Sequence, residues 1–260
     1  MKLTGRKYPY YFEGEIKPNN SKIVESGVKE IIKATRKYLG KNPEDISVLD
    51  VGSGRGDFSI QMAKAFKNVV AVEPYKDAYE YAKKNSPKQL KNIIFKHSSI
   101  EKFESKNKYD LIVALTIFEH LKNQKKAFNQ MFSLLKEGGM IYITAPNKYW
   151  PIEQHYGLPF LAWLPLPLAN IYLKLFRGVS SYEDSSYSRG YYWTRNFFDK
   201  YPCTYEFILP FNTKGAYIGY GKKGFYSVVK DFGIKLISSN KNFWAISKGF
   251  IIVVKKKTNK

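Results

Sequence analysis

Short apolar runs alternate with longer stretches of helical spacing through the first 147 residues. Val48-Leu49-Asp50-Val51, Val69-Val70-Ala71-Val72, Ile93-Ile94-Phe95, Leu111-Ile112-Val113-Ala114-Leu115 and Met140-Ile141-Tyr142-Ile143 are such runs. Near-continuous apolar character is the mark of strands covered on both faces. Strands are predicted near 46–51, 69–73, 93–96, 110–115 and 140–145. Helices fall between them. One near 57–67 buries Phe58, Ile60, Met62, Ala63 and Phe66; one near 75–84 follows Pro74; one near 123–136 stops at Gly138-Gly139. Ser21 caps a further helix that carries Ile23, Val24, Val28, Ile31, Ile32 and Leu39 and ends at Gly40. Residues 1–20 are aromatic and irregular. Toward the C-terminus, 222–232 reads as a helix, Ile234–Ser238 and Gly249–Val254 as a strand pair, and Ser239-Asn240-Lys241-Asn242 as the turn between them. Strand–helix alternation predicts an α/β fold with a parallel sheet and helices on both faces.

Chemistry concentrates where the first strand ends. Asp50-Val51-Gly52-Ser53-Gly54-Arg55-Gly56-Asp57 is a glycine turn into a helix, and Glu73-Pro74 closes the second strand. That order builds a nucleoside crevice at the carboxyl edge of a sheet. A dinucleotide fingerprint wants a small third residue, G-x-G-x-x-G/A, where this chain has Asp57. An acidic side chain in the first helical turn suits the helix dipole but repels a pyrophosphate. No Gly-Lys-Ser/Thr follows, so the phosphate-loop pattern fails as well. A nucleoside without phosphates fits: a zwitterionic tail over the glycines, its ammonium near Asp50, and both ribose hydroxyls on Glu73. The plain alternative is a turn that only packs a helix.

Five segments in order resemble the motifs of class I S-adenosylmethionine-dependent methyltransferases. They are Val48–Asp57, Ala71–Pro74, His97–Phe103, Tyr109–Leu121 and Leu134–Thr144, together spanning about residues 45–147. The resemblance implies a Rossmann-like, seven-stranded, mostly parallel sheet with a substrate cap inserted after strand 5. Its organisation would be an N-terminal cap and helix (1–44), a cofactor-binding core (45–147), an insertion (148–220) and a C-terminal helix and strand pair (221–260). It implies S-adenosylmethionine as cofactor, held by Asp50, Gly52, Ser53, Gly54, Gly56, Glu73, Pro74, Ser98, Ser99, Ile100, Leu115 and Thr116. The adenine-contact segment usually carries Asp where Ser99 stands; a serine hydroxyl accepts the adenine amino group more weakly, and Ser98 is the neighbouring choice. The N-terminal helix either lies over the cofactor mouth or packs on the core.

The insertion opens with Ala145–Phe160, which resembles a run in family members that modify glycans, lipids or quinones. His155 and Glu153 leave the carboxyl end of the fifth strand, and methylation of a hydroxyl needs a base for its proton. His155 is therefore the first catalytic candidate, with Glu153 at its side, and ordering of the insertion by hydrogen bonds is its alternative; His120, beside Glu119, is the second, with a structural cap or cofactor wall as its alternative. Leu158–Arg177 is the most apolar stretch, broken by three prolines and closed by Lys174 and Arg177. The breaks exclude a membrane span. The stretch either lines a greasy acceptor pocket or dips into a membrane interface through Trp163 and Tyr172.

Composition adds direction. Lys and Arg number 43 against 22 Asp and Glu, for a formal charge of +21, and only six of the 43 are Arg. Such an excess draws the protein toward anionic membranes, RNA or glycans. Cys203, the only cysteine, forms no internal disulfide and reads as packed, which with the absence of a signal-like N-terminus suggests the cytoplasm. The three histidines lack metal-ligand spacing, so no metal is expected. The leading expectation is methyl transfer to a small-molecule or lipid- or glycan-linked acceptor, at oxygen. An RNA methyltransferase is second, favoured by charge but without an added RNA module. A non-catalytic cofactor-binding module is third.

Overall fold

A computed structural model describes residues 21–213 and 225–258; the irregular segment read over 1–20 lies outside them. The elements run α1 (Ser21–Leu39), β1 (Ser47–Val51), α2 (Asp57–Ala63), β2 (Asn68–Glu73), α3 (Lys76–Asn85), β3 (Ile93–His97), β4 (Tyr109–Leu115), α4 (Gln124–Leu134), β5 (Leu135–Pro146), α5 (Leu166–Arg177), α6 (Tyr191–Phe198), β6 (Cys203–Phe207), α7 (Phe225–Ser239) and β7 (Gly249–Lys256). One seven-stranded sheet has the order β3-β2-β1-β4-β5-β7-β6, parallel except for β7, which pairs antiparallel with both β5 and β6. The order reverses between β1 and β4. That gap is the topological switch point, where open α/β sheets take ligands.

Strand alternation divides the core in two. Val48, Leu111, Val113 and Met140 point to the face covered by α1 and α2, against Val28, Ile31 and Met62. Leu49, Ile112, Ala114 and Ile141 point to the other face, against Phe128 and Met131 of α4 and Phe197 and Phe198 of α6. Phe128 is fully buried, with ring centroids 4.6 Å from Tyr201, 5.2 Å from Phe198 and 5.3 Å from Phe197. Phe128→Ala is expected to lower stability by about 3–5 kcal/mol, because a rigid aromatic cluster collapses poorly into the hole. Urea unfolding checks this as a lower midpoint at unchanged slope.

Three sequence expectations change. Ile234–Ser238 is not a strand but the last part of α7, which runs through Gly233 without a break. The strand beside β7 is Cys203–Phe207, whose Thr, Tyr and Phe side chains suit a pleated edge. The Ser239–Asn242 segment therefore ends a helix, and Asn240 accepts from the Asn242 amide to open a short 3-10 helix, Lys241–Ile246. Gly138-Gly139 does not stop α4, which ends at Leu134. The pair sits inside β5, where Gly138 takes a φ of +70° and the register with β4 shifts. Cys203 is buried, and burial pushes its thiol up to about 11.

The insertion carries its own small core of Leu158, Leu161, Ala169, Leu173 and Tyr182. It buries only one edge of α5 and leaves Leu168, Ile171, Leu175 and Phe176 more than half exposed. Among the described residues, no helix is long and apolar enough to cross a membrane.

Candidate active site

A large cavity, about 1580 Å³, opens over the carboxyl edge of β1, β2, β4 and β5. Its polar end is built by the turn after β1. Gly52 takes a φ of +70°, and a Cβ there would lie 2.5 Å from Ile117 Cγ2, so only glycine fits. Gly54, at +54°, faces open space on the cavity wall. Its amide donates to Glu73 Oε2 at 2.7 Å, and the Tyr75 amide donates to Oε1 at 2.9 Å. Two backbone donors thus aim the Glu73 carboxylate at the end of β2. Burial holds Glu73 above the usual carboxylate range despite those bonds. Asp50 is buried beneath the turn and accepts from Ser59 Oγ at 2.5 Å. Burial pushes it up to about 7, with Ser59 opposing and the Glu73 charge adding. Ser53 Oγ, on the same wall, is buried without a protein partner. A carboxylate, open space above Gly54 and an unpartnered hydroxyl suit a polar nucleoside with an amino-acid tail.

The wall continues through Pro74, Ser99, Ile100, Leu115 and Thr116. Thr116 holds a φ of +49°, uncommon for a non-glycine residue, with its amide donating to the Thr144 carbonyl at 2.9 Å. Two expected cofactor residues are not on this wall. Ser98 turns its hydroxyl to the Ser99 carbonyl, so Ser99 is the serine of the cavity. Gly56 lies under the turn, where a Cβ would meet Phe95 at 2.8 Å; its role is close packing at the start of α2.

The far end is apolar, and its position differs from expectation. Leu209, Phe232, Ile237, Phe243, Trp244, Ile246 and Phe250 line it, mostly from α7 and the turn before β7. The Leu158–Arg177 stretch contributes nothing to the wall. It lines no part of this cavity, against the expectation of a greasy pocket, because its apolar residues pack on one another or face outward. The sequence reading missed this end because α7 was broken into helix and strand, which hid the Phe232–Ile237 side. Helix α1 packs its inner face on the sheet, and Ile23 lines the cavity.

Four titratable side chains meet at one corner, brought from two segments. Glu119 and His120 come from the short 3-10 helix after β4, and Glu153 and His155 from the chain beyond β5. His120 is on the cavity wall; Glu153 and His155 stand behind it. Glu153 is a turn-holding carboxylate, accepting from the His155 and Tyr156 amides at 2.8 and 2.7 Å and from His155 Nδ1 at 2.7 Å. His120 Nδ1 donates to the Asp184 carbonyl at 2.7 Å. Burial, aided by His155, pulls His120 down to about 4, so its ring is neutral near pH 7. Burial also lowers His155, but its hydrogen bond to Glu153 and the charges of Glu153 and Glu119 outweigh that and hold it above the ordinary value. Glu119 is buried, which pushes its carboxyl up to about 7.

Strand order, glycine turn and the carboxylate ending β2 define a class: open α/β proteins that hold a nucleoside at the switch point. Residues 24–188 match the family model described as a methyltransferase domain, well over half of the chain. The chain belongs to that family, within the class I S-adenosylmethionine-dependent methyltransferases. Over 139 residues it is 32% identical to the ubiquinone biosynthesis O-methyltransferase of Pelagibacter ubique, covering 52% of this chain and 58% of that protein. It is 26% identical over 163 residues to the Rickettsia akari protein of the same name, covering 59% and 62%. The chain thus matches about three fifths of the length of these relatives. Plantazolicin methyltransferase BpumL, solved with a desmethylPZN analog and SAH, has the same fold: TM-score 0.59 at 16% identity, covering 92% of this chain and 86% of that one.

Proposed function

We propose that the protein transfers the methyl group of S-adenosylmethionine to an oxygen of a small apolar acceptor, free or linked to a lipid or glycan. The observation that carries this is one continuous cavity with a carboxylate-and-glycine end and an aromatic and aliphatic end. Glu73 accepts both ribose hydroxyls, Asp50 faces the ammonium group, Ser53 and Gly54 take the amino-acid tail, and Ser99 and Ile100 meet the adenine. The acceptor lies toward Phe232, Trp244 and Phe250. Its oxygen attacks the methyl carbon, the carbon–sulfur bond breaks, and the sulfonium becomes a neutral thioether. The proton leaves toward the His120 corner. The sulfonium is already activated, so in-line positioning supplies most of the rate. His120 replaces His155 as first candidate for the base, because it alone of the corner pair reaches the cavity.

The test is calorimetry with S-adenosylmethionine, followed by labelled-cofactor incubation with lipid, glycan and RNA extract fractions. Label in an apolar or glycan-linked product supports the proposal. Label confined to RNA would favour the RNA reading that the charge suggests. Cofactor binding without transfer to any fraction would favour a binding module.

Cofactor affinity should depend on pH through Asp50. With its carboxyl near 7, a protonated fraction must lose its proton before it can face an ammonium group. Affinity is expected to rise from pH 6 to 8 and then level, and Asp50→Asn should flatten the profile. In the unliganded protein the same group works the other way. Its folded pKa lies above the unfolded one, so its contribution to stability is full below about pH 4 and is lost as pH rises through about 7.

The outer face of α5 supports peripheral contact with an anionic bilayer. Leu168, Ile171, Leu175 and Phe176 are exposed beside Phe160 and Trp163, with Lys174 and Arg177 on the same helix and a formal charge of +21 on the chain. The protein is expected to sediment with phosphatidylglycerol vesicles at low salt, and Ile171→Ser/Phe176→Ser to lose that association. Equal recovery with neutral vesicles, or none with either, would rule it out.

A further inference from the structure

We infer that Glu119, His120 and His155 form a binding site for one divalent transition-metal ion of the zinc class. Three observations converge. Both imidazoles present Nε2 to the same oxygen: His155 Nε2 is 3.8 Å and His120 Nε2 3.9 Å from Glu119 Oε1. The three donor atoms lie within 4.8 Å of one another. Around a tetrahedral ion with bonds of about 2.1 Å, donors sit about 3.4 Å apart. Closure needs shifts of about half an ångström along the two nitrogen–oxygen pairs and of at most about 1.4 Å between the two imidazole nitrogens.

The second observation is Glu119 itself. It is 1% exposed, and neither carboxylate oxygen has a hydrogen-bond partner on another residue. At 3.8 and 3.9 Å the imidazoles are beyond hydrogen-bonding distance. A buried carboxylate without a donor from another residue is costly, and a cation between the three side chains satisfies it.

The third is the outer ring of contacts. Metal-binding histidines commonly donate their other ring nitrogen to a carboxylate or a carbonyl. His155 Nδ1 is held by Glu153 Oε1 at 2.7 Å and His120 Nδ1 by the Asp184 carbonyl at 2.7 Å. Both rings are thereby fixed with Nε2 inward. Two imidazoles and one carboxylate select a zinc-class ion over magnesium or calcium, which prefer oxygen. The sequence expectation of no metal rested on histidine spacing along the chain; the fold closes a separation of 35 residues, from 120 to 155. The site goes beyond the proposed function: an ion would occupy His120 Nε2 while Nδ1 stays on the Asp184 carbonyl, so the base role of His120 belongs to the metal-free protein, and detection of the ion does not depend on methyl transfer.

The experiment is titration of chelator-treated full chain with Co²⁺, read by visible d–d absorption and calorimetry, then by Zn²⁺ displacement. Expected is one Co²⁺ per chain, abolished in Glu119→Gln and His155→Gln and weakened about 10–100-fold in Glu153→Gln. Cofactor binding by the same samples reports that each variant is folded. Glu153→Gln, which keeps all three ligands, serves where a ligand variant does not fold. Failure of the wild type to bind Co²⁺ and Zn²⁺, or undiminished binding in the variants, overturns the inference. Metal binding without cofactor binding would instead overturn the proposed function and leave this inference standing.

Discussion

Glu73→Ala is expected to weaken S-adenosylmethionine binding on the order of a hundredfold. The carboxylate ends β2 with one oxygen on the Gly54 amide and the other on the Tyr75 amide, and each oxygen keeps acceptor capacity toward the cavity. Two ribose hydroxyls bound to an ionised group contribute about 1.5–3 kcal/mol each, and part of that is regained by water in the variant. About 3 kcal/mol of net loss is about two powers of ten. Glu73→Gln should fare little better, because its amide nitrogen would face a backbone N–H instead of accepting from it. Calorimetry on both variants, with circular dichroism for the fold, checks the result. Affinity within threefold of wild type would place the ribose elsewhere.

The second large effect concerns turnover. His120→Gln is expected to lower kcat by about 10²–10⁴-fold, the range of a lost general base, while cofactor affinity stays within about twofold. The asymmetry follows from the proposed roles: His120 lines the cavity but makes none of the contacts assigned to the cofactor. Single-turnover measurements on the product-forming extract fraction separate chemistry from binding. A proportional loss of cofactor affinity would make His120 a cofactor wall and not part of proton removal.

Much of the cofactor end was legible in the chain because it is local. The Gly52–Gly56 turn, Asp50 before it and Glu73 at the next strand end lie within 24 residues, and each has a residue type its backbone position demands. Strands β1, β2, β4 and β5 were legible for a similar reason: parallel strands covered on both faces leave continuous apolar runs, and the edge strand β3 carries such a run although Ile94 is exposed. The acceptor end was not, because it is assembled from distant pieces. The Ile234-Lys235-Leu236 alternation imitates a strand, and what excludes one there is that β7 already has Cys203–Phe207 as its neighbour, a tertiary fact. The Glu119–His120–Glu153–His155 corner depends on two loops meeting at the sheet edge. Ser98 and Ser99 could be separated only by hydroxyl direction. The strain at Thr116 left no mark in residue type, since glycine or asparagine would be the ordinary occupant of that conformation.

The central claim is that the crevice beyond β1 and β2 holds a sulfonium nucleoside by its ribose. The most direct measurement is a crystal structure of the protein with S-adenosylhomocysteine. The account predicts ribose hydroxyls within hydrogen-bond distance of both Glu73 oxygens, the amino-acid tail over Gly52–Gly54 and the adenine beside Ser99. A ligand bound elsewhere, or one in the crevice whose ribose leaves Glu73 untouched, would contradict it.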